Sequence, residues 1–129
     1  MKNLFLGLVF IFSFVGCSNL INKEPKFVQN EYVLVSEKKC PDITITFDKD
    51  NKFYGNGGVN RYFGSYSVKG NNITLKVGGS TRMMGPKEVM TREFNYFSTL
   101  DEVKSFEVVD DSLILITKNG DKFIFNKVK

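Results

Sequence analysis

Histidine and tryptophan are absent from the 129-residue chain, which has only two cysteines and three prolines. Without histidine there is no Ser–His or Cys–His nucleophile pair. The commonest general base and the commonest metal ligand near neutral pH are missing as well. The inventory therefore predicts no catalytic apparatus, no metal and no cofactor. Charge of one sign is not concentrated either: 18 Lys and Arg lie scattered among 14 Asp and Glu for a net charge of +4, which argues against a nucleic-acid partner. At 42% hydrophobic and 25% charged residues the chain is neither disordered nor collagen-like, and its length suits one domain.

One long apolar run occurs, at the start. Met1-Lys2-Asn3 leads into Leu4 to Val15, which stops at Gly16-Cys17-Ser18-Asn19. A membrane-spanning helix needs roughly 20 apolar residues, so the run reads as the hydrophobic part of a signal peptide. Phe14-Val15-Gly16-Cys17 resembles the bacterial lipoprotein signal, with a small residue before a cysteine that accepts lipid. The resemblance implies cleavage after residue 16 and lipid attachment, palmitate included, at Cys17, whose thiolate is the nucleophile. Two or more acyl chains hold a protein stably on a bilayer. Ser18, in place of Asp, resembles signals that send lipoproteins to an outer membrane. The expected plan is a signal peptide over 1–16, lipid attachment and a polar tether over 17–29, and one domain over 30–129 in the bacterial cell envelope, facing the periplasm. Cys40 is then left without an internal disulfide partner.

The mature part falls into short β-like runs split by turn residues. Tyr32 to Val35 and Ile43 to Phe47 are strand candidates, the second with strict apolar–polar alternation. Asp48 to Asn51 is a turn, with Lys52 to Gly55 as the returning strand. Tyr62 to Val68 and Ile73 to Val77 flank a turn containing Gly70-Asn71, and a final set spans 105–109, 112–117 and 122–126, its last turn marked by Asn119-Gly120. Pro86 opens a helix on which Met90, Phe94, Phe97 and Leu100 share one face, predicted to lie on the sheet as core.

Several motifs fail on their chemistry. Gly55-Asn56-Gly57-Gly58 has no following Lys-Ser/Thr, so it is not a phosphate loop. Asp48 and Asp50 begin like a calcium loop, but Lys52 and Phe53 stand where a ligand and a glycine belong. Glu88 and Glu93 sit on the helix with nothing to mark either as buried, so a paired-carboxylate hydrolase is a weak reading.

The stretch Gly55-Asn56-Gly57-Gly58-Val59-Asn60-Arg61-Tyr62-Phe63-Gly64-Ser65-Tyr66 resembles the signature of the META domain family, that of the HslJ-like heat-shock lipoproteins. Thr81-Arg82-Met83, Glu93-Phe94, Leu100 and the apolar hairpin from Leu113 to Phe125 continue the family pattern. The resemblance implies an envelope lipoprotein linked to stress tolerance, without an established catalytic activity. Relatives often carry Cys where this chain has Val59 and Gly85; if the two positions adjoin, both cysteines have been lost together.

The glycines of the signature read first as backbone devices, and Asn60 as a residue that bonds nearby backbone. A functional reading makes Asn60, Arg61, Tyr62, Tyr66, Thr81 and Arg82 an exposed binding surface. The sequence thus predicts a β-dominant α+β fold, a curved and partly barrel-like antiparallel sheet of about eight strands with one packed helix. It predicts a non-enzymatic binding or scaffold module held to the membrane by its lipid, with an envelope protein as partner. The alternative is a carrier of a small apolar ligand, and a third reading is an enzyme built on Glu88 or Glu93.

Overall fold

The structure, a computed structural model, describes residues 24–37 and 41–129. The leader, Cys17 and Cys40 lie outside the described residues. Among the described residues eight strands and one helix follow in order: β1 (Glu31–Leu34), β2 (Thr44–Phe47), β3 (Lys52–Asn56), β4 (Arg61–Lys69), β5 (Asn72–Ser80), α1 (Lys87–Leu100), β6 (Val103–Val109), β7 (Ser112–Thr117) and β8 (Lys122–Lys127). Each strand pairs antiparallel with the next, and β1 also pairs with β8 through Tyr32↔Lys127 and Leu34↔Phe125, which closes the sheet into a barrel. Closure leaves no free edge for a second chain to extend.

Alternation decides which side chains enter the barrel. Along β4, Tyr62, Gly64 and Tyr66 point in while Arg61, Phe63, Ser65 and Ser67 point out. Along β7, Leu113, Leu115 and Thr117 point in. Gly64 is needed where β4 and β5 bulge: a Cβ there would lie 2.1 Å from the Lys76 carbonyl oxygen and 2.6 Å from the Phe53 ring. The seam between β5 and β6 is thin, with Asn72↔Ser105 as its register pair. This is the connection that carries α1 in place of a hairpin turn.

Aromatic side chains fill the interior. Phe27, Phe47, Phe53, Tyr62 and Phe125 are fully buried with Ile45, Ile73, Leu100, Leu113 and Leu115. Phe27 closes one end of the barrel, its ring 4.8 Å from that of Phe47 and 5.1 Å from that of Phe106; burying it contributes about 1.5–3 kcal/mol. Val28 bridges to Phe47. Residues 27 and 28 therefore belong to the folded body, which starts ahead of the boundary predicted at residue 30.

The helix forms where predicted but turns a different face inward. Glu93, Tyr96 and Leu100 are its buried residues, while Phe94 is 70% exposed and Met90 and Phe97 are half-buried. The inward face is rotated by roughly 70° from the Met90–Phe94–Phe97–Leu100 stripe, at about 100° per residue. Polar bonds to Glu93 and Tyr96 set this rotation.

Candidate functional site

The turn between β3 and β4 is built to donate hydrogen bonds. Gly58 adopts φ +126°, a left-handed value suited to glycine, and its N–H donates to Asn56 Oδ1 at 2.8 Å. Gly57 N–H donates to the Asn60 carbonyl at 2.8 Å. The turn then aims the next two N–H groups at α1. Val59 N–H and Asn60 N–H donate to Glu93 Oε2 at 2.8 and 2.6 Å, and Asn60 Nδ2 donates to Glu93 Oε1 at 2.7 Å. On its other side Asn60 Oδ1 accepts from Thr81 Oγ1 at 2.8 Å and from Met83 N–H at 2.6 Å. Asn60 and Glu93 are each only 4% exposed.

Asn60 thus binds three segments together: its own turn, the stretch 81–83 and α1. Three N–H donors converge on one carboxylate, an arrangement of charge-assisted bonds stronger than neutral ones. Three of the carboxylate's lone-pair sites are committed in this way to holding the chain. Glu88 lies exposed on the helix, apart from this cluster.

Beneath the clasp two tyrosines meet. Tyr62 OH donates to the Thr44 carbonyl at 2.6 Å and lies 2.6 Å from Tyr96 OH. A hydroxyl has one proton, so Tyr96 is the donor to Tyr62. Burial pushes both phenols above the ordinary tyrosine range, well above it for Tyr62, where the neighbouring Tyr96 adds to the effect. The unfolded chain ionises these phenols at its ordinary value and the folded chain does not, so stability is intact below about pH 10 and falls above it, by up to about 1.4 kcal/mol per pH unit per phenol. Tyr96→Phe should cost about 1 kcal/mol at neutral pH through the lost bond and should also flatten the alkaline decline. Urea melts of both proteins at neutral and alkaline pH check this, and equal alkaline slopes would count against the pair.

The six residues expected to form one binding surface divide into two groups. Asn60, Tyr62 and Tyr66 are 4%, 1% and 7% exposed, so their side chains serve the interior. Tyr66 OH donates to the Asp48 carbonyl at 2.6 Å, and burial, then the Asp48 and Glu24 charges, raise its pKa. Arg61, Thr81 and Arg82 are exposed. Arg61 and Thr81 adjoin, Thr81 N–H donating to the Arg61 carbonyl at 2.9 Å.

The surface that the sequence reading missed lies beside the clasp. Met83, Met84 and Phe94 are 55%, 86% and 70% exposed, and Met84, Met90 and Phe94 line a groove of about 370 Å³ with Gly85, Lys87 and Thr91. The stripe was legible as apolar, but its assignment to the core hid it. A larger open groove, about 1030 Å³, lies toward the other end, lined in part by Lys26, Tyr66, Asn71 and Phe106.

A model of the META domain family matches residues 28–129. No curated protein matches. Among solved structures, a protein from Burkholderia xenovorans studied by NMR is similar with a TM-score of 0.68 at 23% identity, over 80% of this chain and 84% of that one. A further protein solved by NMR gives a TM-score of 0.58 at 18% identity, over 81% and 94% of the two chains. A DUF4847 family protein from Bacteroides vulgatus gives 0.52 at 16% identity, over 65% and 57%. At these identities the likeness is one of fold.

Proposed function

The chain belongs to the META domain family, and on that footing we propose that it is a non-enzymatic binding module of the bacterial cell envelope, lipid-anchored at Cys17, that engages another envelope protein in stress tolerance. One observation carries the reading: Met83, Met84 and Phe94 stand exposed on a frame that the Asn60–Glu93 clasp holds rigid. Contiguous exposed apolar surface marks interaction sites, and methionine adapts to partners of varied shape. Arg82 and Lys87 are the cations beside the patch, so the partner segment it suits is apolar with acidic flanks.

Placement favours a protein over the bilayer itself. The N-terminal segment meets the barrel at the Phe27 end, whereas α1 packs at the other, with Tyr96 against Tyr62. Strand β4 runs from Arg61 beside the clasp to Lys69 at the far end, about 26 Å of chain at roughly 3.3 Å per residue. The described N-terminal segment thus meets the barrel at the end away from the methionines.

A photocrosslinking side chain placed at residue 84 in cells should give a discrete protein adduct that Phe94→Asp removes, while the same group at residue 69 should not. Both positions are exposed, so folding should change by less than about 0.5 kcal/mol. No adduct, or the same adducts from both positions, contradicts the docking surface. Mass spectrometry of the same sample reads the anchor: peptides that begin with acylated Cys17 support it, and intact Met1 peptides alone overturn it.

A further inference from the structure

A second exposed aromatic feature lies on the barrel wall, away from the groove of α1. Register places one outward residue from each of five strands in a row: Glu31↔Thr46, Thr46↔Tyr54, Tyr54↔Phe63 and Phe63↔Gly79. The neighbouring row brings Asn56 opposite Arg61, with Thr44 Oγ1 accepting from Asn56 N–H at 3.1 Å and Thr81 Oγ1 accepting from Arg61 N–H at 3.2 Å. Tyr54 is 43% exposed and Phe63 58%. Two aromatic rings on adjacent strands therefore stand among threonine, asparagine and arginine side chains.

The Phe63 ring is held in place. Phe63 rests against the backbone of Gly78 and Gly79, where an added Cβ would lie 3.3 and 2.9 Å from its ring. Any larger residue at 79 would push the ring away. Beside Tyr54 is a shallow groove of about 370 Å³, lined by Asp42, Thr44, Thr46, Asn56 and Arg61 among others. Gly58 N–H donates to Asn56 Oδ1, which fixes that amide and leaves Nδ2 as its donor.

We propose that this face binds a neutral oligosaccharide, a sugar ring stacking on Tyr54 and Phe63 while its hydroxyls bond Asn56, Arg61 and the threonines. Three features select this ligand class. A fixed ring spares the ligand the entropy of ordering it. Aromatic faces interleaved with neutral donors and acceptors suit a ligand that is apolar on its ring faces and polar at its rim, as a pyranose is. The groove sets Glu31 and Asp42 against Arg61, with no cluster of cations to hold the phosphates of a nucleic acid. Two rings on adjacent strands offer neighbouring stacking faces, which suits an extended β-1,4-linked chain, whose successive residues lie in line, over an α-linked one that curves away. The inference does not depend on the protein partner proposed for the methionine groove.

The test is an NMR titration of the full chain in a detergent without sugar. The probes are β-1,4-linked trimers of glucose and of N-acetylglucosamine, with α-1,4-linked maltotriose as comparison, each up to about 10 mM, which reveals millimolar affinity. At least one β-1,4-linked trimer should shift the amides of Tyr54, Asn56, Arg61 and Phe63. Tyr54→Ala should weaken binding about tenfold or more, and Arg61→Met, which leaves both rings in place, about threefold or more. Both variants should keep the spectrum of the folded barrel. The proposal is overturned if neither β-1,4-linked trimer shifts these amides, if maltotriose shifts them as strongly, or if Tyr54→Ala binds undiminished.

Discussion

Asn60→Asp should destabilise the fold by about 3–5 kcal/mol at neutral pH, the cost of a buried charge left uncompensated, and the loss should shrink in acid. In the native protein Asn60 Nδ2 donates to Glu93 Oε1 at 2.7 Å; in the variant a second carboxylate oxygen stands there. Two carboxylates this close cannot both ionise without strong repulsion, so the pair's proton uptake is raised above the unfolded value. The sign follows: below the unfolded carboxylate pKa the penalty is absent, and it grows as pH rises through that value. Asn60→Ala, which removes the side-chain bonds without adding charge, should cost less than Asn60→Asp at neutral pH. Combining Asn60→Asp with Glu93→Gln restores a donor–acceptor pair, with oxygen and nitrogen exchanged, and should recover about 2 kcal/mol at neutral pH as coupling energy. Urea melts at acid and neutral pH, run on the native protein, the three single variants and the double variant, measure all of these quantities.

Joining residues 59 and 85 should instead stabilise the protein. A Cβ on Gly85 would lie 3.5 Å from Val59 Cβ, within the range of disulfides, whose Cβ atoms are about 3.5–4.5 Å apart. These are the two positions where relatives often carry cysteine, so the structure makes them neighbours and gives their joint replacement a physical sense: Val59 Cγ2 would stand 2.7 Å from the same added Cβ, which glycine leaves free. Val59→Cys with Gly85→Cys, in a background with Ser at residues 17 and 40, should oxidise readily. The bond would close a loop of roughly 25 residues and add about 3.5 kcal/mol on the chain-entropy account. Thermal melts with and without a reductant should differ accordingly, and a double variant that stays reduced, or melts alike in both conditions, would show that the pair does not adjoin as described.

The strands were legible because inward and outward residues alternate within each one, and the turns because glycine, asparagine and aspartate punctuate them. Closure was not, since β1 and β8 are joined by pairs such as Leu34↔Phe125 that no local pattern connects. The helix was legible from Pro86 and its apolar residues, but its rotation was not. A glutamate reads as an outward residue until the N–H donors that draw it inward are seen, and those lie more than thirty positions earlier in the chain. Tyr62 and Tyr66 were placed on a surface because they belong to the family signature. The alternation of Arg61, Phe63, Ser65 and Ser67 on the opposite phase was the available sign that the tyrosines point inward. Phe63 escapes the rule that large apolar residues are buried because it takes the outward phase of β4, with glycine as its partner on β5.

Hydrogen exchange at the amides of Val59 and Asn60 puts the clasp to the most direct trial. Both N–H groups lie in a glycine-rich turn, yet each is tied to the Glu93 carboxylate, so they should exchange only when the whole barrel unfolds, as slowly as the amides of Leu113 and Leu115. Exchange as fast as that of the exposed Gly70 turn would mean that Glu93 does not hold them, and the rigid frame on which the binding surface rests would be lost with it.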